Sequence, residues 1–143
     1  MNIVKFLEAR LAEDRATAEL AIGSAAFGTQ TGVWEADNTQ HIVFAIVDNG
    51  AQTQVANMRE AWDGRERIEH VARWDPARAL REVEAKEAVL YAHTNVERCW
   101  FGMESVGAIE VMLHMVEVIA AVYSDHPDYD PKWTPFSFSG KSI

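Results

Sequence analysis

Apolar residues recur at helical spacing through the beginning of the chain. Over residues 2–22 they lie three or four positions apart, as at Val4, Leu7 and Leu11, so they share one face of a helix. Gly23 follows them, and glycine readily adopts the left-handed conformation in which helices end. The pattern predicts a first helix over residues 2–22.

The pattern then changes from helical spacing to that of β-strands. β-Branched and aromatic residues dominate residues 32–36 and 41–47, as is typical of strands. An Asn-Gly pair follows, and such a pair supplies the positive φ of a tight hairpin, which makes residues 52–56 the returning strand. We expect a small antiparallel meander over residues 32–56, with a helix covering one of its faces.

Helical spacing returns in three further segments, at residues 58–74, 76–94 and 105–123. Asp75 and Pro76 separate the first two segments, because aspartate caps exposed N–H groups and proline suits the first position of a helix. The last segment is apolar almost all round, as in a helix at the middle of a bundle or at a subunit interface. The chain is therefore predicted to be a mainly helical α+β protein, with four main helices and the meander between the first and the second.

A single domain is expected from the size of the chain. Its 143 residues, 48% of them hydrophobic, fit one globular domain spanning residues 1–143. Residues 124–143 contain three of the four prolines, and proline interrupts regular structure. We expect this segment to be an extended tail that packs on the body and frays at its end.

Charge and cysteine content narrow the range of partners. The 13 basic residues are outnumbered by 22 acidic ones. Most of the basic residues lie in residues 59–98, interleaved with acidic ones, and so form no basic patch for a phosphate backbone. No binding to nucleic acid is therefore expected. The most apolar stretch, residues 106–123, is interrupted by three polar residues that would be costly inside a bilayer, so no membrane association is expected. The one cysteine, Cys99, cannot form an intrachain disulfide and is expected to be a buried apolar residue. These features favour the cytoplasm.

Three sequence blocks resemble an uncharacterised family of small actinobacterial and actinobacteriophage proteins. The block EHVARWDPARALREVEAK at residues 69–86 is similar to the family core H-I-A-R-x-D-P-A-R-x-L-R-E-V-E-A-K. FLEARLAED at residues 6–14 resembles the family's opening, and YSDHPDY at residues 123–129, followed by Trp133, resembles its closing block. The resemblance implies an actinobacterial or phage source, hence the host cytoplasm for a phage protein, and a domain of unknown function.

One helix carries a possible set of metal ligands. Glu110, His114 and Glu117 are spaced by four and three residues, so they share one face of the fourth helix. Imidazole and carboxylate are ligands of iron, manganese and zinc in helical bundles. Four further candidates lie on the second and third helices: Glu66, Glu69, His70 and His93. Because such stripes are also the ordinary solvated sides of helices, we expect no metal and no cofactor, with a metal-binding helical domain or metal-dependent enzyme as the alternative.

A second polar cluster involves the junction of the second and third helices and the tail. Its candidate residues are His70, Asp75, Arg78, Glu82, His126 and Asp128. Asp75 is explained as a helix cap, and Arg78 with Glu82 as an ion pair one helical turn apart. A histidine in a loop has no such local role, so the tail is expected either to complete a polar site at the junction or to act as a structural latch.

No catalytic motif is recognisable. The nucleophile elbow, the phosphate-binding loop, the dinucleotide fingerprint and the zinc-protease motif are all absent from the sequence, so an enzyme is not favoured. Aromatic residues in predicted loops are typical interface anchors; they are Trp100, Phe101, Trp133, Phe136 and Phe138. The leading interpretation is a protein–protein interaction module with a host-interaction or accessory role. A second alternative is that residues 99–131, which are acidic, mimic nucleic acid.

The fourth helix also predicts self-association. Its apolar residues lie on nearly every side, and a monomer that exposed them would tend to aggregate. A homodimer with a two-fold interface would bury them. The alternative is that the aromatic tail, residues 129–138, covers this helix within one chain.

Overall fold

The structure, a computed structural model, describes residues 1–23, 29–59, 63–95 and 106–135. In chain order the elements are α1 (Ile3–Ile22), β1 (Gln30–Asp37), β2 (Ile42–Val47), β3 (Gln52–Asn57), α2 (Gly64–Arg73), α3 (Pro76–Thr94), α4 (Val106–Ala121) and a 3-10 helix (Pro131–Trp133). The three strands form one antiparallel sheet in the order β1-β2-β3. The predicted α+β class is confirmed: the described residues form four α-helices, with the meander between the first and the second.

The second helix begins later than its periodicity predicts. β3 continues to Asn57, and the N–H of Met58 then donates to the carbonyl of His41 at 2.9 Å. This bond extends the sheet pairing into the segment that was expected to be helical, and α2 begins only at Gly64. The prediction of a helix from residue 58 was therefore wrong at its start.

Two compact units divide the chain, and each has its own core. The first combines Met1–Glu13 with Glu84–Ile143 and the second is Asp14–Val83. In the first unit the buried apolar residues are Phe6, Leu7, Leu11, Leu90, Val116 and Ala120. In the second they are Ala18, Ile42, Val43, Ala45, Val47, Ile68 and Val83. The organisation of the whole chain as a single domain stays a prediction.

The core of the second unit is built on its central strand. β2 is an uninterrupted run of apolar residues with pairing partners on both sides. Helix α2 packs on β1 and β2, and its Ile68 is fully buried. This arrangement supplies the helical cover that a small sheet needs.

Both turns of the meander are held by side chains. Between β2 and β3, Gly50 has a φ of +79° and the Asn49 side chain accepts from the N–H of Ala51, which confirms the predicted Asn-Gly turn. Between β1 and β2, the Asp37 carboxylate accepts from the N–H groups of Thr39 and Gln40 at 2.8 and 3.0 Å. These hydrogen bonds, chiefly the one from Gln40, hold the pKa of Asp37 below its ordinary value.

Candidate functional site

The junction of α2 and α3 is fixed by a buried aspartate. The Asp75 carboxylate accepts from the N–H of Arg78 at 2.6 Å, and its second oxygen lies 3.4 Å from the N–H of Trp34 in β1. The first bond satisfies an exposed donor of the first turn of α3. Because Asp75 is 8% exposed, its role in the described part of the chain is structural: it caps α3 and ties that cap to the sheet.

Removing this cap is expected to destabilise the protein. Asp75→Ala should lower the free energy of unfolding by about 1–2 kcal/mol, because it leaves a helix donor without its acceptor. Urea denaturation measures the difference. Asp63→Ala is the matched control, since Asp63 precedes α2 but its side chain makes no capping hydrogen bond. An equal loss in the two variants would contradict the assignment.

Three side chains spaced by four residues line up across the same junction. The Arg78 guanidinium lies 3.9 Å from the centre of the Trp74 ring, and the His70 and Trp74 ring centroids are 6.2 Å apart. Arg78 also pairs with Glu82 at 2.9 Å. The structure thus gathers four of the six predicted polar-site residues: His70, Asp75, Arg78 and Glu82. The half-exposed Trp74 was not predicted, although its spacing from Arg78 is a readable signal.

The other two predicted residues, His126 and Asp128, belong to the first unit. Nε2 of His126 contacts the guanidinium of Arg10, a residue of α1 that sequence reasoning did not single out. Nδ1 of the same ring accepts from the N–H of Asp128 at 3.1 Å. A second guanidinium nitrogen of Arg10 donates to Glu13 at 2.8 Å. The His126 ring therefore lies between the Arg10 side chain of α1 and the backbone of Asp128 within the first unit.

Phe6 is the centre of an aromatic cluster that gathers the turns after α4 around α1. Its side chain is fully buried, and its ring lies within 5.0–6.3 Å, centroid to centroid, of four rings: Tyr123, His126, Tyr129 and Trp133. Trp133, predicted as an interface anchor, is the nearest of the four. The other predicted anchors, Trp100, Phe101, Phe136 and Phe138, lie outside the described residues, as does Cys99.

The predicted metal ligands on α4 are only partly brought together. Nδ1 of His114 lies 3.7 Å from a carboxylate oxygen of Glu117, while Glu110 is exposed. On α2, Glu69 accepts from Asn38 and pairs with Arg65. Across the described ranges, no group of three His, Cys, Asp or Glu side chains is placed to hold a metal ion.

The outer side of α4 exposes a row of large apolar residues. Val111, Met115, Val118 and Val122 follow one another at intervals of four, three and four residues, and each is between 42 and 62% exposed. Val111, Met115 and Val118 lie on one side of α4, opposite Val116 and Ala120, which are fully buried. Val122 is the first residue after the helix, and its N–H donates to the carbonyl of Ile119. We call these four residues the α4 seam.

The tail leaves this seam open in the part of the chain that the structure describes. The 3-10 helix Pro131–Trp133 does contact α4, yet the seam residues keep their exposure. No helix of the described residues is long and apolar enough to cross a membrane. The exposed apolar row is therefore a surface that the described tail does not cover.

Comparison with known proteins identifies a family whose function is unknown. A family model described as "Family of unknown function (DUF6221)" matches residues 1–135. No curated protein and no solved structure matches the chain. The family match agrees with the resemblance to an uncharacterised family, whereas the actinobacterial or phage source stays a prediction.

Proposed function

We propose a role for the chain, which belongs to this family of unknown function, from the exposed apolar residues of the α4 seam. The chain is a protein–protein interaction module that forms a homodimer through this seam. The observation that carries the proposal is the exposure of four large apolar residues, three along one side of α4 and one directly after its end. Leaving such a strip in water is unfavourable by roughly 25 cal/mol per Å² of apolar surface, so the binding of a partner that covers it is favoured.

The spacing of the seam favours another helix as the covering partner. Intervals of four, three and four residues are those of the a and d positions of a heptad repeat, in which side chains of one helix insert between those of the other. Met112, His114, Ile119 and Ala121 flank the seam. None of these flanking residues is a carboxylate or a lysine, so no fixed like charges oppose the approach of a second copy.

The length of the seam sets the strength of the expected contact. From Val111 to Val122 it rises by roughly 16 Å, at about 1.5 Å per residue. A contact this short buries less than the standard interface of about 1,600 Å² unless neighbouring surfaces join it. We therefore expect a reversible dimer that dissociates on dilution. Its proposed setting is the cytoplasm, where a lone cysteine needs no disulfide partner.

A pair of lysine variants tests the proposal. Met115→Lys places a charge in the seam and should raise the dimer dissociation constant by about tenfold or more, which corresponds to about 1.4 kcal/mol. Leu113→Lys is the matched control: Leu113 is equally exposed, 41% against 42% for Met115, but its position faces away from the seam. Sedimentation velocity over a dilution series measures both constants. Equal shifts in the two variants would contradict a seam interface.

A further inference from the structure

We infer that the junction of α2 and α3 carries a second interaction surface, which binds an acidic peptide segment of another protein. We call this surface the Trp74 patch; it consists of Arg73, Trp74, Arg78 and Arg81. All four residues belong to the second unit, Asp14–Val83. The inference goes beyond the proposed homodimer, because it concerns another surface and another partner.

Helical spacing makes the members of the patch neighbours. Arg73 and Trp74 come three and four residues after His70, at the end of α2, so they extend the side of the helix that His70 occupies. The Arg78 guanidinium then lies 3.9 Å from the centre of the Trp74 ring. Arg81 follows Arg78 by three residues in α3, which places it beside Arg78 on the helix surface.

The polar groups of the patch are available to a ligand. Trp74 is 48% exposed, and Arg73 and Arg81 are exposed. Among the described residues, neither of these two arginines has an ion-pair or hydrogen-bond partner for its side chain. Arg78 donates from Nε to Glu82, and its two terminal nitrogens have no acceptor in the same part of the chain. Donors of three guanidinium groups are therefore unused.

The patch is basic, although the chain as a whole has a formal net charge of −9. Residues 70–82 contain three arginines and two carboxylates. Asp75 is buried as the cap of α3, so Glu82 is the one exposed carboxylate of this stretch. The next carboxylates, Glu69 and Glu84, lie at its two ends. Positive charge is therefore in excess between them.

This combination of side chains is complementary to an acidic peptide. A guanidinium group binds a carboxylate through two parallel hydrogen bonds, and stacking on Trp74 holds the Arg78 group in a fixed orientation before a ligand arrives. The exposed indole ring offers an apolar contact to a side chain between the carboxylates. Tryptophan and arginine are also the residues that most often dominate the binding energy of protein interfaces.

The charge of the rest of the chain favours a short acidic segment over a nucleic acid. A phosphate backbone is a long polyanion, so it would extend past the patch and be repelled by the 22 acidic residues of the chain. A peptide of a few residues contacts the patch alone. Its carboxylates meet the three arginines without approaching the other acidic surfaces.

Titration with a synthetic peptide tests the inference. The probe is Glu-Glu-Glu-Phe-Glu-Glu-Glu, and the same peptide with glutamine at every glutamate position is the control for charge. Calorimetry on the full chain gives the dissociation constant, and ¹⁵N chemical shifts locate the bound peptide. We expect saturable binding of the glutamate peptide, with shifts at the Trp74 indole N–H, and no binding of the glutamine peptide. Raising NaCl from about 50 to about 300 mM should weaken the binding severalfold, because salt screens exposed charges.

Two substitutions separate the patch from the general charge of the chain. Trp74→Ala removes the apolar contact and Arg81→Glu reverses one charge of the patch; each should raise the dissociation constant by about tenfold. Neither side chain is buried, so both variants should fold, which circular dichroism checks. Arg67→Glu is the matched control. Arg67 is an exposed arginine of α2 that pairs with Asp63 before the helix, so this variant should change the constant by about twofold or less.

Three results would overturn the inference. If the glutamate peptide does not bind at millimolar concentration, or if Arg67→Glu weakens binding as much as Arg81→Glu, the Trp74 patch is not the binding site. If a single-stranded oligonucleotide of equal charge binds more tightly in the same buffer, an acidic peptide is not its ligand. Since none of these measurements depends on association of the chain with itself, the homodimer is tested separately.

Discussion

Replacing Phe6 with alanine is expected to lower the free energy of unfolding by about 3–5 kcal/mol, the usual loss for a fully buried phenylalanine. The Phe6 ring has no exposed surface and is in contact range of Tyr129 and Trp133 in the segment after α4. Truncation would leave a cavity between these rings that the 3-10 helix cannot fill without moving. Urea denaturation followed by circular dichroism gives the difference in stability.

Leu20→Ala is the control for this substitution. Leu20 lies in the same helix and is also a large apolar residue, but it is 81% exposed, so its truncation should change the stability by no more than about 0.5 kcal/mol. Similar losses in both variants would mean that Phe6 is not the centre of the first unit's core.

The second large effect is expected at Gly64, the first residue of α2. A Cβ atom at this position would lie 2.5 Å from the carbonyl oxygen of Met58 and 3.2 Å from Nδ1 of His41. Because the nearer atom belongs to the backbone, relief requires α2 or the end of β3 to shift, and Gly64→Ala should destabilise by about 1–3 kcal/mol. Thermal or urea unfolding measures the change.

From helix propensity alone, Gly64→Ala would be expected to stabilise the protein, because alanine favours a helix more than glycine does. A second glycine in a helix therefore provides an informative comparison. Gly107 lies in the first turn of α4, and a Cβ atom added there would meet no described atom within 4 Å. Gly107→Ala should therefore be neutral or stabilise by up to about 1 kcal/mol. A stabilising Gly64→Ala would show that α2 does not approach Met58 this closely.

Much of the secondary structure is readable from local pattern. Helix α3 was predicted at its observed bounds, Pro76–Thr94, because Asp75 and Pro76 mark its start with local chemistry. The Asn-Gly hairpin was readable for the same reason. The start of α2 was missed because the N–H of Met58 donates a hydrogen bond to the carbonyl of His41, seventeen residues earlier. The spacing of apolar side chains along the chain does not indicate such a long-range backbone pairing.

The candidate site was readable only where its contacts are local. Arg78 and Glu82 lie one helical turn apart, so their pairing could be predicted from their spacing. Arg10 and His126 are 116 positions apart, and no sequence pattern links them. The apolar character of α4 was evident, but which of its sides is exposed depends on the burial of Val116 and Ala120. That information comes from tertiary packing, so the seam could be recognised only in the structure.

Sedimentation equilibrium of the unmodified chain tests the central claim, dimerisation through the α4 seam, most directly. The chain has a mass of 16.0 kDa. Over concentrations of roughly ten to a hundred micromolar, where a weak reversible dimer assembles by mass action, the account predicts that the weight-average mass rises towards twice that value. A mass that stays at 16.0 kDa throughout this range would contradict it.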